Sequence, residues 1–291
     1  MPAFRAISIP LAVAIATAIA ACSNAGAGPT ASAPAASSAA ASSVPTAAAT
    51  PTAAPGFLLV AFGDSIPGAL NCPDGCTGYV ELYGPKVEQA IGKPVEVRNL
   101  ARTDSFTSKR LFQRFADATY SNAARDADLI VIQIGFNDFQ GPCTWTNHVV
   151  CLADGQAQVA DYLERTLGAI ATIRGGKPVA MRVVTYYDNY VGFPNVAATA
   201  WGFDPTDANF KAFSKDYGTA LRSFNAMLCD EAKAAGVICV DLLTAFNGPN
   251  GDQAATGLIS NDGIHPSTAG HQRIAEALAA AGFDDLTVAV P

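Results

Sequence analysis

The chain of 291 residues is 50% hydrophobic, 15% charged and 9% aromatic, a balance that excludes a disordered tail, a collagen-like chain and a coiled-coil rod. Its net charge of −7, with only 18 Lys and Arg, argues against a basic surface that would release counterions from nucleic acid. The first 56 residues differ sharply from the rest and leave about 235 residues, enough for one α/β domain with a full core.

At the amino terminus, Arg5 precedes an apolar stretch from Leu11 to Ala21. That stretch is too short for a bilayer-spanning helix, which takes about 20 residues, and residues 1–21 read as a secretory signal. Its end, Ile19-Ala20-Ala21-Cys22, resembles a bacterial lipobox. The resemblance implies cleavage before Cys22 and lipid on its sulfur, which would hold the protein at a membrane surface. The alternative is an ordinary signal peptide with an incidental cysteine. From Ser23 to Gly56 the chain is rich in Ala, Ser, Thr, Pro and Gly, with no charged and no aromatic residue, and has almost nothing to bury. Residues 22–56 therefore read as an anchor cysteine and a tether. Pro29, Pro34, Pro45, Pro51 and Pro55 interrupt every long run that could have become helical.

Six cysteines remain beyond Cys22, and in an exported protein an even number points to disulfides. They fall into local couples at intervals of four, eight and ten residues: Cys72 with Cys76, Cys143 with Cys151, and Cys229 with Cys239. The spacing does not suit a zinc ribbon, and the chain has only three histidines, so no metal is expected.

After Gly56, short apolar runs alternate with longer amphipathic segments, the pattern of parallel strands joined by crossover helices. The runs are Phe57 to Phe62, Val95 to Leu100, Leu129 to Ile134, Val179 to Thr185 and Val237 to Leu242, each read as a strand buried on both faces. Val159, Leu163, Leu167 and Ile170 mark a helix ending near Gly175-Gly176. Phe210, Phe213, Tyr217, Leu221, Phe224 and Leu228 recur at three- and four-residue steps, which sets all six on one face of another helix. Ile274 and Leu278 mark a last helix ending at Gly282. In open parallel sheets ligands bind beyond the carboxyl ends of the strands, so the motifs after each run carry the chemistry.

Directly after the first run comes Gly63-Asp64-Ser65. A serine at a strand-to-helix turn projects its hydroxyl over the sheet, with its own N–H aimed at the same spot. The tripeptide alone also suits a turn or a helix cap. The third run ends in Gly135-Phe136-Asn137-Asp138, which sets an amide at the same sheet edge, where it can donate to a developing oxyanion or simply form an Asx-turn. Near the carboxyl end, Asn261-Asp262-Gly263-Ile264-His265-Pro266 delivers an acid and an imidazole from one short loop, the pairing of a general base with the carboxylate that orients it. His271 and His148 lack a nearby acid in sequence and read as a residue of the last helix and as part of the Cys143 to Cys151 loop.

Together these blocks resemble the SGNH, or GDSL-type, hydrolase family across nearly all of residues 57 to 282. The resemblance implies a flavodoxin-like three-layer α/β/α fold on a five-stranded parallel sheet, a catalytic domain over 57–291, and ester hydrolysis without cofactor. It casts Ser65 as nucleophile, His265 as base and Asp262 as orienting acid, with an oxyanion hole from the Ser65 N–H, the Asn137 side chain and a backbone N–H of the second block. That block departs from the family's Asn-x-Gly and reads Asn99-Leu100-Ala101-Arg102-Thr103-Asp104, which leaves the role to the Ala101 N–H. The expected function is an exported, monomeric lipase or esterase, with a carbohydrate deacetylase or a binding lipoprotein as alternatives. Phe136, Phe139 and Trp145, and Tyr186, Tyr187, Tyr190, Phe193, Trp201 and Phe203, lie after strand ends, where they either line a substrate pocket or roof the core.

Overall fold

The computed structural model describes residues 56–288 apart from 74, 142, 144–146, 192–205 and 207. The expected signal segment, Cys22 and all of the expected tether but Gly56 lie outside the described residues, as do Trp145, Phe193, Trp201 and Phe203. Contacts divide the chain into two units, Met1–Pro51 and Thr52–Pro291, and every described residue belongs to the second.

Five strands form one sheet in the order β2-β1-β3-β4-β5, and every pairing is parallel. They are β1 (Phe57–Gly63), β2 (Val95–Asn99), β3 (Leu129–Gln133), β4 (Ala180–Val184) and β5 (Ile238–Val240). Each lies inside an apolar run of the sequence or within a residue of it, because a strand covered on both faces needs side chains that shed water in both directions. β1 and β3 meet that demand and are buried throughout. β2 and β5 do not: they are the sheet edges, and residues such as Glu96 and Arg98 reach solvent and pair there at 2.8 Å. A run's hydrophobicity does not reveal whether it has one neighbour or two. β4 hides the other surprise, since Arg182 is fully buried in mid-strand, and its guanidinium donates to both carboxylate oxygens of Asp285 at 2.6 and 2.7 Å.

The helices are α1 (Tyr79–Ile91), α2 (Ser108–Arg114), α3 (Ala118–Asp126), α4 (Phe136–Phe139), α5 (His148–Arg174), α6 (Ala208–Ala234), α7 (Leu242–Asn247), α8 (Thr268–Ala280) and α9 (Asp284–Val288). α1 packs on α8, whereas α5 packs on α2, α3 and α6, and the helices flank the sheet. All six periodic residues of α6, Phe210 through Leu228, are buried. Each such side chain contributes roughly 1.5–3 kcal/mol on full burial. α5 buries its own stripe and stops at Gly175, whose φ of 57° is the left-handed cap that the Gly-Gly pair provides. α9, which carries Asp285 to Arg182, has no counterpart in the sequence reading.

The disulfides join Cys72 to Cys76, Cys143 to Cys151 and Cys229 to Cys239. The first closes a turn between β1 and α1, and the third ties α6 to the edge strand β5. The described aromatics after the strand ends belong to the core. Phe139, Tyr186, Tyr187 and Tyr190 are buried, Phe139 stacks on Phe224 at 4.4 Å and Tyr187 on Phe246 at 4.2 Å. Only Phe136 among them is half-buried, against Tyr186.

Candidate active site

In a sheet of this order the chain winds one way from β1 to β2 and the other way from β3 onward, so a crevice opens between the carboxyl ends of β1 and β3. Ser65 follows β1 and Asn137 follows β3, on either side of that crevice. One glycine lets β1 approach β3 this closely, and a second lets the turn after β3 pack on the helices behind it. Gly63 sits at φ 156°, and a Cβ there would lie 2.0 Å from the Gln133 carbonyl oxygen; Gly135 sits at φ 124°, where a Cβ would meet Val159 at 2.8 Å.

The third contributor comes from a tight loop before α8. An antiparallel bridge between Ile259 and Pro266 closes it, and the Ser260 N–H donates to the His265 carbonyl at 2.8 Å. Inside the loop, Asp262 Oδ1 accepts from the Ser260 hydroxyl at 2.7 Å and from the N–H groups of Ile264 and His265, both at 2.9 Å. Asp262 Oδ2 lies 2.6 Å from His265 Nδ1, and His265 Nε2 lies 2.9 Å from Ser65 Oγ. With the carboxylate beside it, Nδ1 carries the ring proton and Nε2 is left to accept from the serine hydroxyl. Burial alone would raise the Asp262 carboxyl, but the hydrogen bonds from His265, Ile264 and Ser260 outweigh it and hold the group well below the usual carboxylate range. The loop is braced from β4 as well: the Tyr187 hydroxyl donates to the Ile264 carbonyl at 2.6 Å, and the Asn189 amide to the Gly263 carbonyl at 2.9 Å.

Asp64 faces away from this chain of bonds. It is fully buried, and its Oδ2 accepts from the Tyr186 hydroxyl at 2.9 Å. Burial, only partly offset by Tyr186 and the Ile66 N–H, pushes its carboxyl up to about 6. Its part is to anchor the turn that presents Ser65. Asp138 does the same beyond β3. It accepts the Ser108 N–H at 2.8 Å and the Ser108 hydroxyl at 2.9 Å, and so fixes Asn137 beside it.

The remaining donors differ in availability. The Asn137 amide gives one hydrogen to the Phe106 carbonyl at 3.0 Å and keeps its second. The Ala101 N–H is taken up by Asn99 Oδ1 at 3.1 Å, so a part in an oxyanion hole requires that bond to be given up. Of the other histidines, His271 lies buried on α8, its Nδ1 accepting the Tyr79 N–H at 3.3 Å, and burial depresses its titration to about 4. His148 opens α5 and lies 3.0 Å from Asp216 on α6, far along the chain. Sequence reasoning missed Asn71, whose amide donates to Asp262 Oδ2 at 2.6 Å, and the bracing pair Tyr187 and Asn189. Nothing local marks them, since each partner lies at least 70 residues away.

Next to Asn137 a cavity of about 490 Å³ opens to solvent. Its lining mixes the polar side chains of Thr107, Asn137, Asp138, Asn147, Asp154 and Gln158 with the apolar surface of Val150 and Cys151.

Sheet order and crevice define a doubly wound α/β fold of the SGNH hydrolase type. The chain belongs to the GDSL-like lipase/acylhydrolase family, whose model matches residues 59–278. Among solved structures it is similar to a lipase from a goat rumen metagenome, at TM-score 0.63 and 19% identity, covering 79% of this chain and 99% of that one. The extracellular lipase of Streptomyces rimosus aligns at TM-score 0.56 and 20% identity, over 78% of this chain and 100% of that one. An acetyl-xylooligosaccharide esterase of Geobacillus aligns at TM-score 0.51 and 20% identity, over 79% and 96%. At these identities the likeness concerns the fold. No curated protein sequence matches the chain.

Proposed function

We propose that this protein is an exported serine hydrolase that cleaves carboxylic esters through an acyl-enzyme. The observation that carries the reading is the unbroken line from Ser65 Oγ through His265 to Asp262, with links of 2.9 and 2.6 Å. Ser65 Oγ attacks the ester carbonyl while His265 Nε2 takes its proton. Asp262 stays ionised and steadies the imidazolium that forms. The Ser65 N–H and the second hydrogen of the Asn137 amide face the developing oxyanion. His265 then returns the proton to the departing alcohol, and a water activated by the same base releases the acid. Asn137→Ala is expected to lower kcat by roughly 10²- to 10³-fold with little change in KM, because an oxyanion donor acts in the transition state. A loss confined to KM in steady-state kinetics on p-nitrophenyl acetate would remove Asn137 from that role.

The polar side chains in the lining of the cavity beside Asn137 favour a second reading, removal of acetyl groups from a carbohydrate, whose hydroxyls would find partners in Thr107, Asn147, Asp154 and Gln158. Acetylated xylo-oligosaccharides and a p-nitrophenyl ester series of increasing acyl length, compared at equal enzyme, separate the two.

Export is supported by the three disulfides and by the signal-like amino terminus. No helix among the described residues is long and apolar enough to cross a membrane. Lipid on Cys22 would hold the enzyme at the cell envelope on its tether. The mature amino terminus, read by mass spectrometry, is expected to begin at a diacylated Cys22, and Cys22→Ser to alter processing and prevent lipid attachment with activity on dissolved esters intact. An unmodified terminus elsewhere would leave a freely secreted enzyme.

A further inference from the structure

We infer that Asn71, held by the Cys72–Cys76 bridge, is a positioning residue that fixes the carboxylate of Asp262 against His265. The inference rests on the triad reading above. The two oxygens of Asp262 are held differently. Oδ1 takes three donors, all from its own loop: the Ser260 hydroxyl and the N–H groups of Ile264 and His265. Oδ2, which faces the imidazole, takes one donor from outside that loop, the Asn71 amide at 2.6 Å. The same amide nitrogen lies 3.4 Å from His265 Nδ1, so both donors converge on one oxygen. Asn71 thus links the segment that carries the nucleophile to the loop that carries acid and base, 191 residues away in sequence.

The backbone shows why an asparagine stands here. Asn71 has φ 56°, a left-handed conformation that asparagine tolerates better than other residues with a side chain. Ala69 is also left-handed, at φ 53°, and the disulfide starts at the very next residue after Asn71. Asn71 itself is exposed, so neither packing nor burial holds its amide in place. The bridge and the turn do.

An N–H on Oδ2 draws negative charge away from the oxygen that faces the ring. Removing it concentrates charge there, which favours the imidazolium, and so moves the acid limb of the kcat/KM profile to higher pH. The other titratable groups around His265 are Asp262 on its own loop, Asp64 after β1, Tyr187 after β4 and His271 on α8; none of them changes in the substitutions below.

The test is the pH–rate profile on p-nitrophenyl acetate of Asn71→Gly and Asn71→Asp, both of which accept the left-handed backbone. In Asn71→Gly the acid limb is expected to rise by roughly half to one pH unit, and plateau kcat to fall about five- to tenfold with KM nearly constant. In Asn71→Asp, which sets a second carboxylate beside Asp262, the limb moves further in the same direction. Cys72→Ser/Cys76→Ser, which frees the turn but keeps the amide, is expected to lower kcat similarly at an unchanged melting temperature of the core. Limbs that superimpose on wild type in both Asn71 variants, in folded protein, would overturn the inference while Ser65→Ala remains inactive. An active Ser65→Ala would overturn the triad reading and this inference with it.

Discussion

Ser65→Ala is expected to lower kcat on a chromogenic ester by about 10⁴-fold or more, and His265→Ala by a similar factor, since the residues of such a chain act as a unit. Without the hydroxyl nothing attacks; without the imidazole nothing removes the proton. Asp262→Ala should cost somewhat less, because the ring keeps its contact with Ser65 Oγ and loses only its orientation and the charge that steadies the imidazolium. The double variant Ser65→Ala/His265→Ala is expected to be hardly worse than either single one. Additive losses would mean that the two side chains work separately. Ser65→Ala should keep the wild-type melting temperature within a few degrees, because Ser65 lies outside the core, whereas Asp262→Ala leaves the Ile264 and His265 N–H groups without their acceptor and should lower it.

The largest effect on stability is expected from Gly63→Ala. The new methyl would lie 2.0 Å from the Gln133 carbonyl oxygen and 2.7 Å from Pro67, at a φ of 156° that side chains rarely adopt. The clash is with backbone, so β1 and β3 must move apart where their ends form the crevice. Overpacking and backbone strain each cost about 1–3 kcal/mol, and together they take a large part of the 5–15 kcal/mol that holds a typical domain folded. Denaturant unfolding should show a drop of roughly 3–5 kcal/mol, and activity should fall with it as Ser65 shifts away from Asn137. A fully stable and active Gly63→Ala protein would show that the β1–β3 contact is looser than its geometry implies.

Much of this fold is legible in the sequence, because parallel strands and their crossover helices carry strong local patterns. β1 and β3 are continuous apolar runs, and the stripe on α6 repeats at helical steps over its whole length. The edges are less legible. In β2, Glu96 and Arg98 alternate with Val95 and Val97, the pattern of a half-exposed strand that the expectation of burial on both faces passed over. Ser65, Asn137, Asp262 and His265 stand out because each follows a strand end or shares a short loop. The Ala101 N–H could not be judged from spacing, as its partner is the side chain of Asn99 two residues back, and only the turn geometry brings them together. Asn71, Tyr187 and Asn189 act across long stretches of chain and leave no local trace. The aromatics after β4 were ambiguous for the opposite reason. Rings suit a binding pocket and a core equally well in sequence, and only packing shows that Tyr186, Tyr187 and Tyr190 point inward.

The measurement that bears most directly on a serine nucleophile is covalent trapping. A fluorophosphonate reacts with a serine hydroxyl only when a base removes its proton and donors hold the developing charge on phosphorus-bound oxygen, the two functions proposed for His265 and Asn137. Intact-mass and peptide analysis of the folded protein should show one adduct per chain, located on Ser65 and absent from Ser65→Ala and His265→Ala. An adduct on another serine, or rapid ester hydrolysis by protein that takes up no label, would contradict the account.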